Sequence, residues 1–196
     1  VSEMAGDVTI RPAERQEAAE LAVLADIASH GFAAWLWYGA VLSGATDTAF
    51  ERGRNKLRED VGPGNWRDAV VADVEDEIAG VSIGYGIEAS AVESEAKHAV
   101  IEPLLALQRQ VVGHWFIDSL GVYRHRRGRG IGRRLLAHEI ARAGSAPVSL
   151  ITESHNDRAQ ALYSKNGFEE AARAEAVPLF EGSRKHDWVL FTRKVA

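Results

Sequence analysis
The sequence predicts an α+β fold, of the mixed α/β kind, in a single domain over residues 1–196. Three observations point to it. Apolar runs of strand length alternate with helical patterns along the chain. Two of these runs, 67–73 and 78–87, are joined by the short acidic link Asp73-Val-Glu-Asp-Glu77, which reads as a hairpin. A chain of 196 residues, 46% hydrophobic and 26% charged, has the length and composition to bury one substantial core.

The elements follow in order. Residues 8–11 alternate weakly and read as a first strand. Pro12 precedes an Ala- and Glu-rich helix over 13–29, whose apolar positions Ala18, Leu21, Leu24, Ala25 and Ala28 recur at helical spacing. Gly31 breaks it. Residues 32–42 hold Trp35, Leu36, Trp37 and Tyr38, with Phe32, Trp35, Leu36 and Gly39 on one helical face. A basic helical piece covers 52–58. Strands rich in Val and Ile occupy 67–73 and 78–87. Residues 88–100 lack periodicity and read as a loop, and 103–110 as a short helix. Trp115–Val122 is the central strand. Residues 131–143 are an amphipathic helix with Ile131, Leu135, Leu136 and Ile140 on its apolar stripe and Gly144 at its C-terminal cap. Residues 148–152 are a short buried strand. Asn156 or Asp157 caps the next helix, which ends before Gly167. Residues 176–180 and 188–192 supply the final strands.

Bulk properties narrow the function classes. There is no cysteine, which excludes disulfides, thiolate catalysis and zinc–thiolate sites. The net charge of −5 argues against general affinity for nucleic acid. No apolar run approaches the roughly 18 residues of a membrane span. The N-terminus lacks a basic segment followed by an apolar core, so a cytoplasmic location is expected. His138-Glu139 lacks a second histidine four places on, and no metal site is expected.

Against this acidic background, six arginines fall between Arg124 and Arg134. Among them runs Arg127-Gly128-Arg129-Gly130-Ile131-Gly132, between the central strand and the helical pattern at 131–143. Alternate glycines let backbone N–H groups approach a ligand, and a helix N-terminus adds unpaired donors and a positive dipole end. These parts suit a pyrophosphate. The spacing excludes two common readings. Counted from Gly128, the sixth place is Arg133, so the dinucleotide fingerprint fails, and no P-loop Gly-Lys-Ser/Thr is present.

The order Arg-x-x-Gly-x-Gly after a strand bearing Leu120-x-Val122 resembles the acetyl-coenzyme A signature of the GNAT N-acetyltransferase superfamily. Downstream, Asn156-Asp-Arg-Ala159-Gln-Ala-Leu162-Tyr163-Ser-Lys-Asn-Gly167-Phe168 is similar to the superfamily's second conserved block. The resemblance implies a single GNAT domain with a mixed, mostly antiparallel central sheet flanked by helices. Its middle strands, 115–122 and 148–152 here, would splay apart to admit acetyl-coenzyme A. It also implies that Gly128, Arg129, Gly130, Ile131, Gly132 and Arg133 meet the pyrophosphate, with Arg127 beside it. Leu120 and Val122 would pair with the pantetheine arm through their backbone. Asn156 would bond cofactor amides, or serve as a plain helix cap.

Candidate acid and base follow from position. Tyr163 lies two helical turns after Asn156, and an ordinary phenol, with a pKa of about 10, is protonated at neutral pH and can serve as general acid. The bland reading is a packing aromatic beside Leu162. Asp118 shares one strand face with Phe116, Leu120 and Val122 and is the only ionisable residue there, which makes it the candidate base. The alternative is an aspartate bonded to backbone or solvent. Glu153 and His155 are rivals for the role. By the resemblance, Phe32, Trp35, Trp37 and Tyr38 would line the acceptor side, with Trp66, Phe180 and Trp188 as further candidates. Aromatics at helical spacing also suit a core.

The expected function is acetyl transfer from acetyl-coenzyme A to a primary amine of a small molecule or peptide, by direct attack. Two alternatives stay open: transfer from another acyl-coenzyme A, and a non-catalytic coenzyme A-binding regulatory module. Neither nucleic acid nor membrane is an expected partner, and a homodimer is a family-level expectation.

Overall fold
The structure is a computed structural model and describes residues 7–93 and 95–194. Seven strands make one sheet: β1 (Val8–Pro12), β2 (Ala69–Val74), β3 (Glu77–Gly86), β4 (Trp115–Val122), β5 (Val148–Glu153), β6 (Glu169–Glu175) and β7 (Asp187–Arg193). Their order across the sheet is β1-β2-β3-β4-β5-β7-β6. β1 with β2, β2 with β3, β5 with β7 and β6 with β7 pair antiparallel, while β4 and β5 pair in parallel. The fold is therefore mixed α/β, with a mostly antiparallel sheet. The β4–β5 pairing joins Trp115–Ile117 to Val148–Leu150, in the first half of each strand.

The helices are α1 (Ala18–Ala28), α2 (Phe32–Leu42), α3 (Ala49–Leu57), the single turn α4 (Ala89–Val92), α5 (Glu102–Gln108), α6 (Ile131–Arg142) and α7 (Asp157–Lys165). The described residues group into two compact units. One comprises residues 7–85 with 118–142, the other 86–93, 95–117 and 143–194.

In the first unit, α1 covers one sheet face and α6 the other, so β2 and the middle of β3 are buried on both faces rather than alternating. Period-two geometry sends Ala69 and Val71 to one face, where they pack with Val81, Ile83 and the buried residues of α1. Val70, Ala72 and Val74 point the other way, onto Ile131 and Leu135 of α6. The hairpin turn at Glu75 and Asp76 holds both residues left-handed, at φ +55° and +62°. This is the primed turn that matches strand twist, made here without glycine. On α6, the fully buried Glu139 accepts from Ser82 Oγ (2.7 Å) and pairs with Arg142 (3.0 Å), whose guanidinium also donates to the Asp68 carbonyl (3.0 Å). The predicted helix at 13–29 begins as a 3-10 turn over Arg15–Glu17 before α1.

In the second unit, Val148 and Leu150 of β5 and Val189, Leu190 and Phe191 of β7 are buried, as are Tyr163 and Phe168, and the rings of Phe168 and Phe191 both meet that of Tyr163. The strand expected at 176–180 is a correction. The strand is Glu169–Glu175, and 176–180 lies outside it. The apolar run that suggested 176–180 contains Pro178, which has no N–H for a ladder. The real strand sits at the sheet edge with no fully buried side chain, so it needs no apolar pattern.

Candidate functional site
In the first unit, β4 runs into a 3-10 turn, Arg124–Arg126, then the glycine loop, then α6. Gly128 and Gly130 are left-handed, at φ +83° and +79°, and a Cβ added to either would meet nothing within 4 Å. Glycine is required here by backbone conformation, not by crowding, and the face beyond the loop is open. The Gly130 carbonyl accepts from Arg134 N (3.1 Å), which starts the helix. The N–H groups of the first turn thus precede any intrahelical acceptor and carry the positive dipole end.

The arginines divide into two groups. Arg126 is fastened to the hairpin, donating to Glu75 (3.1 Å) and Glu77 (3.0 Å). Arg127 donates through Nε to the Val122 carbonyl (2.9 Å), which folds the loop back onto β4. Arg124, Arg129, Arg133 and Arg134 are exposed and form no ion pair among the described residues. On β4, Leu120 is partly buried and Val122 buried, both against the cluster that holds Ile131. Asp118 is exposed. Its Oδ1 accepts from Tyr85 Oη (3.2 Å) and its Oδ2 from Ser119 Oγ (3.1 Å). Burial, then the Asp118 charge, push the Tyr85 phenol well above its ordinary pKa. Tyr85 was not legible as a partner of Asp118, because strand adjacency leaves no local sequence signal.

On α2, Phe32 and Trp35 are partly buried and Tyr38 is 52% exposed. Trp37 is instead a core residue. Its ring fills the space beside Gly53, where a Cβ would lie 2.5 Å away, and meets Phe50 edge-on at 6.4 Å. The unbroken apolar run of α2 concealed which aromatic faces inward.

In the second unit, Asn156 caps α7: its side chain accepts from Ala159 N (3.2 Å), and its Nδ2 lies 3.4 Å from Thr152 Oγ1. Tyr163 is buried, its ring 6.0 Å from those of both Phe168 and Phe191. Burial pushes its phenol up to about 12, so it holds its proton throughout the neutral range. At the exit of β5, Ser154 is stitched to Asp187 in both directions, by Ser154 N to the Asp187 carbonyl (2.8 Å) and Asp187 N to Ser154 Oγ (3.0 Å). This brings the His155 and His186 rings to 5.3 Å, edge to face, and His186 lies 4.8 Å from Trp188. Glu153 Oε2 is 3.9 Å from His155 Nε2. His186 is 31 residues from His155 in the sequence, and only the β5–β7 pairing unites them. Among the described residues, no group of three or more His, Asp or Glu side chains is placed to hold a metal ion. No helix among them is long and apolar enough to cross a membrane.

Residues 50–168 match the acetyltransferase (GNAT) family. The chain belongs to that family. The GNAT match takes in the glycine loop, α6 and the Asn156–Phe168 segment together. The fold is shared with solved structures of low identity. An N-acetyltransferase from Staphylococcus aureus Mu50 is 20% identical, with a TM-score of 0.63, covering 94% of this chain and 99% of that one. The ribosomal-protein-S18-alanine N-acetyltransferase from Escherichia coli is 16% identical, with a TM-score of 0.62, covering 97% and 96%. The yncA protein of Salmonella typhimurium, solved with its cofactor acetyl-CoA, is 16% identical, with a TM-score of 0.59, covering 97% and 95%. No curated protein matches the sequence.

Proposed function
We propose that this GNAT protein moves acetyl from acetyl-coenzyme A to a primary amine by direct attack. The observation that carries the reading is the open, left-handed glycine loop at the N-terminus of α6, beside unpaired arginines. That donor set fits a diphosphate: backbone N–H groups, a helix dipole and full positive charges. Gly128, Gly130, Ile131 and Gly132 would hold it by their N–H groups, with Arg129 and Arg133 adding charge. Arg127, anchored by Nε on Val122, keeps its terminal nitrogens for a second partner. Leu120 and Val122 would bond the pantetheine arm through their backbone. Asn156 Nδ2, held only at 3.4 Å, has a donor to offer a cofactor amide.

When bound, the thioester supplies an acetyl group activated for attack by an amine. Tyr163 gives the departing sulfur a proton. Asp118 takes a proton from the attacking nitrogen. Phe32, Trp35 and Tyr38 line the acceptor side. The absence of cysteine supports direct attack, since the commonest acyl-carrying nucleophile is missing.

The test is thiol release from acetyl-coenzyme A with spermidine, an aminoglycoside or a short peptide bearing a free α-amine. Asp118→Asn and Tyr163→Phe should each lower kcat by about 10²-fold or more while calorimetric affinity for acetyl-coenzyme A is kept. Normal turnover in both variants would overturn the role assignments. No heat of binding in the wild type would overturn the cofactor reading.

A further inference from the structure
The His155–His186 pair at the exit of β5 is used by none of these roles. We propose that His155 is the base that converts the acceptor from ammonium to amine before attack, with Glu153 and His186 as its positioning residues. This rests on the acetyl-transfer reading above.

The chemistry requires a second proton acceptor. A primary ammonium carries three protons and the product amide nitrogen carries one. One of the two lost protons leaves before attack, freeing the nitrogen's lone pair. The other leaves as the carbon–nitrogen bond forms and the carbon–sulfur bond breaks. One proton ends on sulfur and the other goes to solvent, so the sum is balanced. Asp118 serves the later step. The earlier one suits an imidazole, whose ordinary pKa of about 6.5 lies nearer an alkylammonium than that of any carboxylate.

The geometry points to His155. It follows the carboxyl end of β5, one strand of the parallel pair, and in open sheets ligands gather beyond such ends. Glu153, 3.9 Å from Nε2, stabilises the imidazolium that forms there. His186 backs the ring edge to face. Its own Nδ1 lies 3.2 Å from the Arg184 carbonyl, which can only accept, so in the neutral ring Nδ1 holds the proton and Nε2 the lone pair. That Nε2 is buried and has no hydrogen-bond partner among the described residues, a cost that packing alone does not explain. Of the charged groups on the elements packed here, Glu153 faces His155, while Asp187 lies 3.7 Å from Arg173 of β6, an ion pair of its own.

Two measurements test the proposal. With whichever amine turns over in the thiol-release screen, His155→Asn should lower kcat/KM by about 10²-fold at pH 7. The deficit should shrink steadily as pH approaches the pKa of the amine, because solvent then supplies the neutral nucleophile. A structural role predicts a loss that does not vary with pH, and that result, or wild-type activity at pH 7, overturns the proposal. Independently of turnover, histidine NMR should show His155 titrating at lower pH in Glu153→Gln, which removes a stabilising charge. It should titrate at higher pH in His186→Asn, which removes the ring packed edge to face against it and lets water reach the imidazolium. Unmoved midpoints overturn the proposal even if acetyl transfer is intact. A wild type that binds acetyl-coenzyme A but acetylates no amine overturns the acetyl-transfer reading, and the base with it.

Discussion

Gly130 holds φ +79° with open space where a side chain would begin. Two effects of substitution can therefore be separated there. A valine pays the left-handed penalty of about 1–2 kcal/mol and also plants a branched side chain on the face proposed for the diphosphate. Gly144, at φ +59° and equally open, provides the comparison, since it caps the other end of α6. Gly130→Val and Gly144→Val should each lower Tm by roughly 2–8 °C. Only Gly130→Val should weaken acetyl-coenzyme A, by at least about tenfold in Kd, or roughly 1.4 kcal/mol. Scanning calorimetry and titration calorimetry on the two variants check this. Equal loss of affinity in both would mean that the loop acts through α6 rather than through contact.

The β2–β3 hairpin shows how an element tolerates an unsuitable sequence. Glu75 and Asp76 occupy left-handed positions that favour Asn-Gly, and Arg126 clamps Glu75 and Glu77 across the turn. Asp76→Gly should relieve strain without touching the clamp and raise Tm by about 2–4 °C, as thermal unfolding would show. The hairpin itself was legible from two Val-rich runs and a short link, and α6 and α7 from apolar spacing and their caps. β6 was not: an edge strand exposes its side chains, so Glu169–Glu175 carries no apolar alternation. The same division runs through the site residues. The glycine loop could be read because φ and open approach constrain residue type locally. Tyr85 beside Asp118, and His186 beside His155, depend on strand pairings that no local pattern encodes. That Trp37 belongs to the core was hidden for a related reason, since α2 is apolar all round and its spacing marks no inward face.

Across the two units, Tyr85, Tyr123 and Tyr163 are held neutral. Burial and then the Glu20 hydrogen bond raise Tyr123 above its ordinary pKa, burial and Asp118 raise Tyr85, and burial alone brings Tyr163 to about 12. Each phenol therefore binds its proton more tightly folded than unfolded. The sign follows from linkage. Between the unfolded pKa near 10 and the folded values, the native state holds more protons, so stability falls as pH rises. Below pH 10 the contribution is fully present. Tyr163 alone accounts for roughly 3 kcal/mol lost between about pH 10 and pH 12. The protein should resist alkali up to about pH 10 and then unfold over a narrow interval, with phenolate absorbance rising together with loss of far-ultraviolet circular dichroism. Tyr163→Phe should be less stable at neutral pH only as far as packing is disturbed, and its stability should fall less steeply above pH 10. If phenolate absorbance in the wild type rises to completion near pH 10 while the fold persists, Tyr85, Tyr123 and Tyr163 are not shielded from solvent as described. The assignment of Tyr163 as a donor that stays protonated until sulfur needs its proton would then lose its physical basis.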